Sequence, residues 1–384
     1  YIYIYKRCFA ECVFVESQRN PLTDPVIVWL TGGPGCSGLS ALLTENGPFT
    51  VQPDGQSLVN NPYSWNRIAN VLTLESPVGV GFSYTDDGKL ETDDAKVASD
   101  NWSALKEFFT AFPQFRKNDF YIAGESYGGI YVPTLAEAVH SGQKNFNINL
   151  KGLLIGNGCV SEKINTNTMI QYGYNHGMID EMLLSFYQKL MVFFFRISGI
   201  NPYDIYGTCY HEGSLKLKSY LALSKAKIDL LRKIKRRLPD SVSKSQKKKT
   251  IYLNKPEVRK ALFIPSNVIA WADCSDEVYD SYNKIYNEMD SRVKSAVGNG
   301  SRVLIYNGDT DLVCNFLQGQ RFAASLGYKV SKAIDEAKTS KQFSFLIDLF
   351  LFYKEQGDSV FNKKVKASQF EKENKLSLDR NETV

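Results

Sequence analysis

Gly124-Glu125-Ser126-Tyr127-Gly128 sets one aliphatic hydroxyl, that of Ser126, between two glycines, inside the stretch FYIAGESYGGIYVP at 120–133. A serine is a weak nucleophile until a base takes its proton, and acyl transfer also needs donors for the oxyanion that develops. The five-residue pattern says little alone. Here an apolar run precedes it and a helical pattern follows it, so the chain turns sharply with Ser126 at the tip. The N-terminus of that helix directs partial positive charge at the same point. Backbone N–H groups of the glycine-rich loop TGGPGCSG at 31–38 can come close enough to serve as donors. The N–H of Tyr127 is a second donor. A phosphate-cradling role for TGGPG is discounted, because it has neither the G-x-G-x-x-G spacing nor a Gly-Lys-Ser/Thr ending. An acid is offered by NGDTDLVCN at 307–315, where Asp309 and Asp311 both follow an apolar run. Spacing alone does not choose between them.

The base is harder to find. The chain has three histidines, His140, His176 and His211, and all precede Asp311. His140 falls at the end of the helix that starts at the serine turn, about 20 Å from Ser126 along a regular helix. His176 and His211 belong to a stretch of different character. All three are expected to be surface or packing residues.

The elements that must position these groups alternate. Short apolar runs ending in glycine-rich or polar turns recur as VIVWLTGGPG (26–35), VLTLESPVGVGF (71–82), DFYIAGESYGG (119–129), KGLLIGNG (151–158) and RVLIYNGDTD (302–311). Each reads as a buried strand with a loop at its C-terminal end. A helix is expected over 94–115, with Pro113 near its end, and another from the serine turn to His140. Alternating strands and helices imply a mostly parallel sheet, which binds ligands at the C-terminal ends of its strands. Residues 160–250 break the rhythm and read as an insertion above the sheet, with 164–190 helical in its second half. The stretch 250–262 reads as the return to the core. The resulting division is core at 1–160, an inserted cap at 161–250, core again at 251–328, and an atypical, partly disordered tail at 329–384.

The net charge of +5 is concentrated at 214–249, which holds 13 Lys/Arg and two Asp. That run is expected to be a solvated helix and loop, so nucleic acid is not expected as a partner. No apolar run is long enough to cross a membrane as a helix. The chain opens at Tyr1 with no methionine and no signal-peptide pattern, as expected where a leader was removed or never included. Seven cysteines match no zinc spacing, and no metal is expected. Sequons stand at Asn101, Asn299 and Asn381.

Taken together, WLTGGPGCSG (29–38) with ENGPF (45–49), VLTLESPVGVGFSY (71–84), FYIAGESYGGIYVP (120–133), GLLIGNG (152–158) and IYNGDTDLVCN (305–315) resemble the serine carboxypeptidase family. The likeness covers roughly 10–190 and 250–325. It implies an α/β-hydrolase fold, a mostly parallel central sheet flanked by helices with an inserted helical cap. It implies Ser126 as nucleophile, Asp311 as triad acid, and the N–H groups of Gly33 and Tyr127 as oxyanion donors. Glu45 and Glu125, with Gly32 and Thr31, match the positions that bind a substrate's C-terminal carboxylate; many relatives have Asn where Thr31 stands. It further implies release of C-terminal residues through an acyl-enzyme, an acidic optimum and no cofactor. The expected partners are peptide or protein C-termini, with room for a homodimer, in a lysosome, a vacuole or outside the cell. A Cys36–Cys274 disulfide and a free thiol at Cys314 follow from the same likeness. So does a disulfide role for Cys209, with Cys159 as its one remaining candidate partner; Cys8 and Cys12 take no assignment.

The chain departs from the family in three stretches, 191–200, 214–249 and beyond about 328. Abrupt changes of this kind are what translated non-coding sequence or a shifted frame would give. The last stretch is where the family keeps its final core strand and its triad histidine. No histidine follows His211. An acyltransferase of the same fold, and a member that binds without cutting, are therefore carried beside the hydrolase.

Overall fold

A computed structural model describes residues 2–5, 8–178, 201–206, 244–329 and 350–352. Most of the 161–250 insertion and nearly all of 329–384 lie outside the described residues, as do His211 and Cys209.

All five apolar runs are strands. With two more they form one seven-stranded sheet: β1 (Cys12–Val15), β2 (Val26–Leu30), β3 (Asn70–Leu74), β4 (Phe120–Ser126), β5 (Leu150–Gly158), β6 (Arg302–Tyr306) and β7 (Phe350–Phe352). The spatial order is β7-β6-β5-β4-β2-β3-β1. The five inner strands are parallel, and β1 and β7 run antiparallel at the two edges. A strand beyond residue 328 was not legible in the sequence. The structure corrects this: Phe350–Phe352, the end of FSFLIDLFLF, pairs with Val303–Ile305 and covers that edge of β6.

Alternation along β2 explains the layering. Val26, Val28 and Leu30 enter the large core, while Ile27 and Trp29 enter a smaller one on the opposite face. Successive strand side chains point to opposite faces, and helices cover both. On the large-core face lie α2 (Asp94–Ala111) and α3 (Gly128–Gly142), supplying Val97, Leu105, Phe108, Ile130, Leu135 and Val139. On the other face α1 (Gly38–Thr44) packs Leu39, Leu42 and Leu43 against Trp271 and Phe82. The helix expected over 94–115 ends at Ala111, and Pro113 opens a short 3-10 turn, because proline has no N–H to continue the ladder.

The helix expected in the second half of 164–190 lies outside the described residues from 179 on, but the first part of the insertion is helical as well. Helix α4 spans Glu162–Asn175, and the Ser161 side chain caps it by accepting from the N–H of Ile164. The chain returns through α5 (Lys244–Leu253), whose residue Leu253 joins the Trp271 core. Helices α6 (Asp290–Gly298) and α7 (Phe316–Ser325) complete the elements used below. The basic stretch does not end as a solvated face: Lys249 is 4% exposed. Among the described residues no helix is long and apolar enough to cross a membrane.

Candidate active site

Ser126 ends β4 with φ 54°, in the left-handed region that side-chain-bearing residues rarely adopt. Two contacts hold it there. Its carbonyl accepts from the N–H of Cys159 at 2.8 Å, just beyond β5. The loop after β2 presses on it from the other side. A Cβ on Gly32 would lie 2.6 Å from the Tyr127 nitrogen and 2.7 Å from the Ser126 Cβ, so only glycine fits. Gly124 is required for a similar reason: its Cβ would meet the Leu30 carbonyl at 2.6 Å. The turn and the TGGPG loop are therefore one packed unit. Tyr127 opens α3, and its hydroxyl donates to buried Asp94, which also accepts from Tyr282 and from the amides of Ile285 and Tyr286. This anchors the residue whose N–H faces the serine turn.

Gly33 follows Gly32 in the same loop, and the Thr31 hydroxyl accepts from Trp29 Nε1 at 2.9 Å. Glu45 caps the C-terminal end of α1, its N–H donating to the Ala41 carbonyl. Its carboxyl is hydrogen-bonded to that of Glu125, next to Ser126. The two lie 80 positions apart in sequence, one at the end of α1 and the other near the end of the central strand β4, and the fold brings them together. Glu45 is exposed yet crowded by protein, and the desolvation that this brings raises its pKa. Glu125 is raised well above the ordinary carboxylate range by desolvation, then by the charge of Glu45 and by the bond to it. One carboxyl of such a pair must hold a proton. The Tyr306 hydroxyl faces the same pair.

Asp311 lies in the loop after β6. Its Oδ1 accepts from the N–H of Val313 at 2.8 Å; its Oδ2 accepts from the N–H of Cys314 at 3.2 Å and from Asn157 Nδ2 at 3.1 Å. Burial still pushes it up to about 6. Asn157 is a residue the sequence reading left without a role. Standing at the end of β5 next to Gly158, the register partner of Ser126, it ties the serine strand to the acid loop. It also accepts from the Gly308 N–H at 2.9 Å. Asp309 instead uses its carbonyl to accept from the Tyr172 hydroxyl.

The two described histidines lie elsewhere. His140 is half-buried, with Nε2 3.1 Å from the Ser301 hydroxyl. His176 stacks on Tyr172 with ring centroids 4.2 Å apart, and its Nδ1 meets the Tyr206 hydroxyl at 2.8 Å. Neither bonds to Ser126 or Asp311.

The cysteines hold one correction. Cys36 and Cys274 are joined as expected. Cys314 is not a free thiol: it pairs with Cys159, joining the loops after β5 and β6 beside the site. Cys159 is therefore not the partner of Cys209. Cys12 is free, and burial pushes its thiol up to about 11, far from a reactive thiolate. The sequons also divide. Asn101 is 1% exposed inside α2, where a glycan has no room, whereas Asn299 is exposed at the end of α6.

Glu75 was part of a quoted motif with no role given. It is fully enclosed, with Oε1 accepting from the Ser37 hydroxyl at 2.6 Å and the Leu39 N–H at 2.9 Å. Ser37 in turn accepts from Trp271 Nε1. Burial pushes Glu75 up to about 7. The network fixes the start of α1, and through it the position of Glu45.

The serine carboxypeptidase family model matches residues 12–360. That span runs through the insertion and past residue 328, further than the motifs alone reach. The chain is 39% identical over 361 residues to the lysosomal protective protein of Mus musculus, covering 83% of this chain and 74% of that one. It is 36% identical over 342 residues to a serine carboxypeptidase of Caenorhabditis elegans, covering 82% and 73%. The crystal structure of a prohormone-processing carboxypeptidase from Saccharomyces cerevisiae superposes with a TM-score of 0.63 at 23% identity, over 85% of this chain and 75% of that one, which shows a shared fold.

Proposed function

This chain belongs to the serine carboxypeptidase family, and from that premise we propose that it takes a peptide by its C-terminus and holds the last peptide bond over Ser126. The observation that carries this reading is the Glu125–Glu45 hydrogen bond directly beside the strained serine. Glu45 and Glu125, with Thr31 and Gly32, receive the terminal carboxylate while the pair keeps its proton. Ser126 attacks the carbonyl carbon, and the oxyanion accepts from the N–H groups of Gly33 and Tyr127. The C-terminal residue leaves as an amine, and water releases the acyl group from Ser126. Raised pKa values at Glu45 and Glu125 support work in an acidic setting, a lysosome, a vacuole or an acidic exterior.

Asp311 is the acid that would orient a base. Its oxygens accept from Val313, Cys314 and Asn157, and no histidine follows it in the chain. That observation favours a second reading, a protein that binds peptide C-termini without cutting them. Without a base, oxyanion donors and binding groups leave only about 10³–10⁴-fold acceleration over water in a comparable triad enzyme.

A fluorescent phosphonofluoridate at mildly acidic pH separates the two, with Ser126→Ala as control. Stoichiometric labelling that the alanine variant loses means Ser126 is activated and the hydrolase reading stands. A folded chain that takes no label leaves the binding reading. If label is taken, products formed with an added alcohol tell hydrolysis from acyl transfer.

A further inference from the structure

Lys249 is a buried cation that the chemistry above leaves unused. Lysine is almost never enclosed unless paired, and here Nζ donates to the Ser40 hydroxyl and to Asp273 Oδ1, the latter at 3.0 Å. Each partner ties it to the carboxylate site. Ser40 is on α1, the helix that Glu45 caps. Asp273 precedes Cys274, and its carbonyl accepts from the N–H of Ser37 at the head of the same helix. The ammonium lies within electrostatic reach of both Glu45 and Glu125. It has three donors, and these two bonds use two of them.

The charges facing the subsite can be named. Glu45 faces Glu125, Lys249 and Asp273; Glu125 faces Glu45, Asp311 and Lys249. With one proton in the pair, an entering carboxylate meets an excess of negative charge, and Lys249 is the positive charge set against it. We propose that Lys249 is a specificity-determining residue of the carboxylate subsite, supplying the charge that lets the Glu45–Glu125 pair prefer a free C-terminus to an amidated one. This rests on the carboxypeptidase reading above and adds a residue to it from outside the quoted motifs.

The competing role is a latch: a buried ion pair that only fastens α5 to α1. Charge variants distinguish the two. The full chain carrying Ser126→Ala, which prevents turnover, is titrated calorimetrically at mildly acidic pH with N-benzyloxycarbonyl-phenylalanyl-leucine and with its amide. Lys249→Gln is expected to lower the acid-to-amide affinity ratio roughly ten-fold, through the acid alone, the lower end of what close interfacial charge pairs contribute. Lys249→Arg is expected to keep most of the ratio. Asp273→Asn removes the lysine's counter-charge and is expected to raise it. An unchanged ratio in Lys249→Gln, or equal losses for acid and amide, overturns the proposal. If Lys249→Gln does not fold, Asp273→Asn decides: a ratio that stays level or falls overturns it. A Ser126→Ala background that does not tell acid from amide overturns the carboxypeptidase reading together with this one. A background that does, with Lys249→Gln unchanged, overturns this one alone.

Discussion

The carboxyl of Glu125 is hydrogen-bonded to the carboxyl of Glu45, and the first belongs to the residue just before Ser126. Two carboxyls share a bond only while one is protonated. Both are raised, so the proton is held in mild acid and lost as pH rises through the pair's range.

Binding of a peptide acid should therefore weaken as pH rises, by up to about ten-fold per pH unit, the limit for losing one proton. Binding of the matching amide should stay level. Glu125→Gln keeps a donor at every pH and should flatten the acid's profile. Titration of both ligands against Ser126→Ala, with and without Glu125→Gln, checks this.

Ser126→Gly should stabilise the fold while abolishing labelling. The left-handed backbone costs a side-chain-bearing residue about 1–2 kcal/mol, and glycine's greater freedom when unfolded returns about 0.4–1 of that. A net gain of roughly 0.5–1 kcal/mol in urea unfolding is expected.

Gly32→Ala should do the reverse. Its new Cβ would lie 2.6 Å from backbone at Tyr127, so the loop or the turn must shift. A loss of roughly 1–3 kcal/mol, and of phosphonofluoridate labelling where the parent takes label, is expected. Gly298→Ala, where a Cβ meets open space, is the control and should hold or raise stability, by up to about 1 kcal/mol.

Glu75 should make the protein most stable in acid. Its folded pKa, about 7, lies above the ordinary 4.5, so the folded state holds the proton that the unfolded state gives up. Its contribution is full below pH 4.5 and is lost as pH rises toward 7. For so enclosed a group the loss is on the order of 3 kcal/mol. Urea midpoints measured across that range should fall, and Glu75→Gln should flatten the fall.

Much of this was legible because backbone needs leave marks. The inner strands read as apolar runs, since both faces of a covered parallel sheet exclude water, and the serine turn reads as glycines where no Cβ fits. Pairings made by folding leave no such mark. Lys247, Lys248 and Lys249 read alike in sequence, but the last is the one of the three that is buried, bonded to Ser40 on α1, and nothing local says so. Cys159 and Cys314 become neighbours because β5 and β6 are. Helix α4 carried little sign in the sequence because INTNT has no apolar stripe, although Ser161 offered a capping signal. The short edge strand Phe350–Phe352 was hidden within a longer apolar run.

The order of the strands also sets a clock. The TGGPG loop, Glu45, Glu125, Ser126 and Asn157 all precede residue 158, whereas Asp311 follows Asn157 by 154 residues. At about 5–20 residues made per second, the acid arrives on the order of ten to thirty seconds after those groups, with Lys249 in between. During that interval the nascent chain carries the serine and the groups proposed to hold a C-terminus, but not the strand that brings Asp311 to them. The proposed site is therefore complete only after β6 has been made, because Asp311 lies in the loop that follows it.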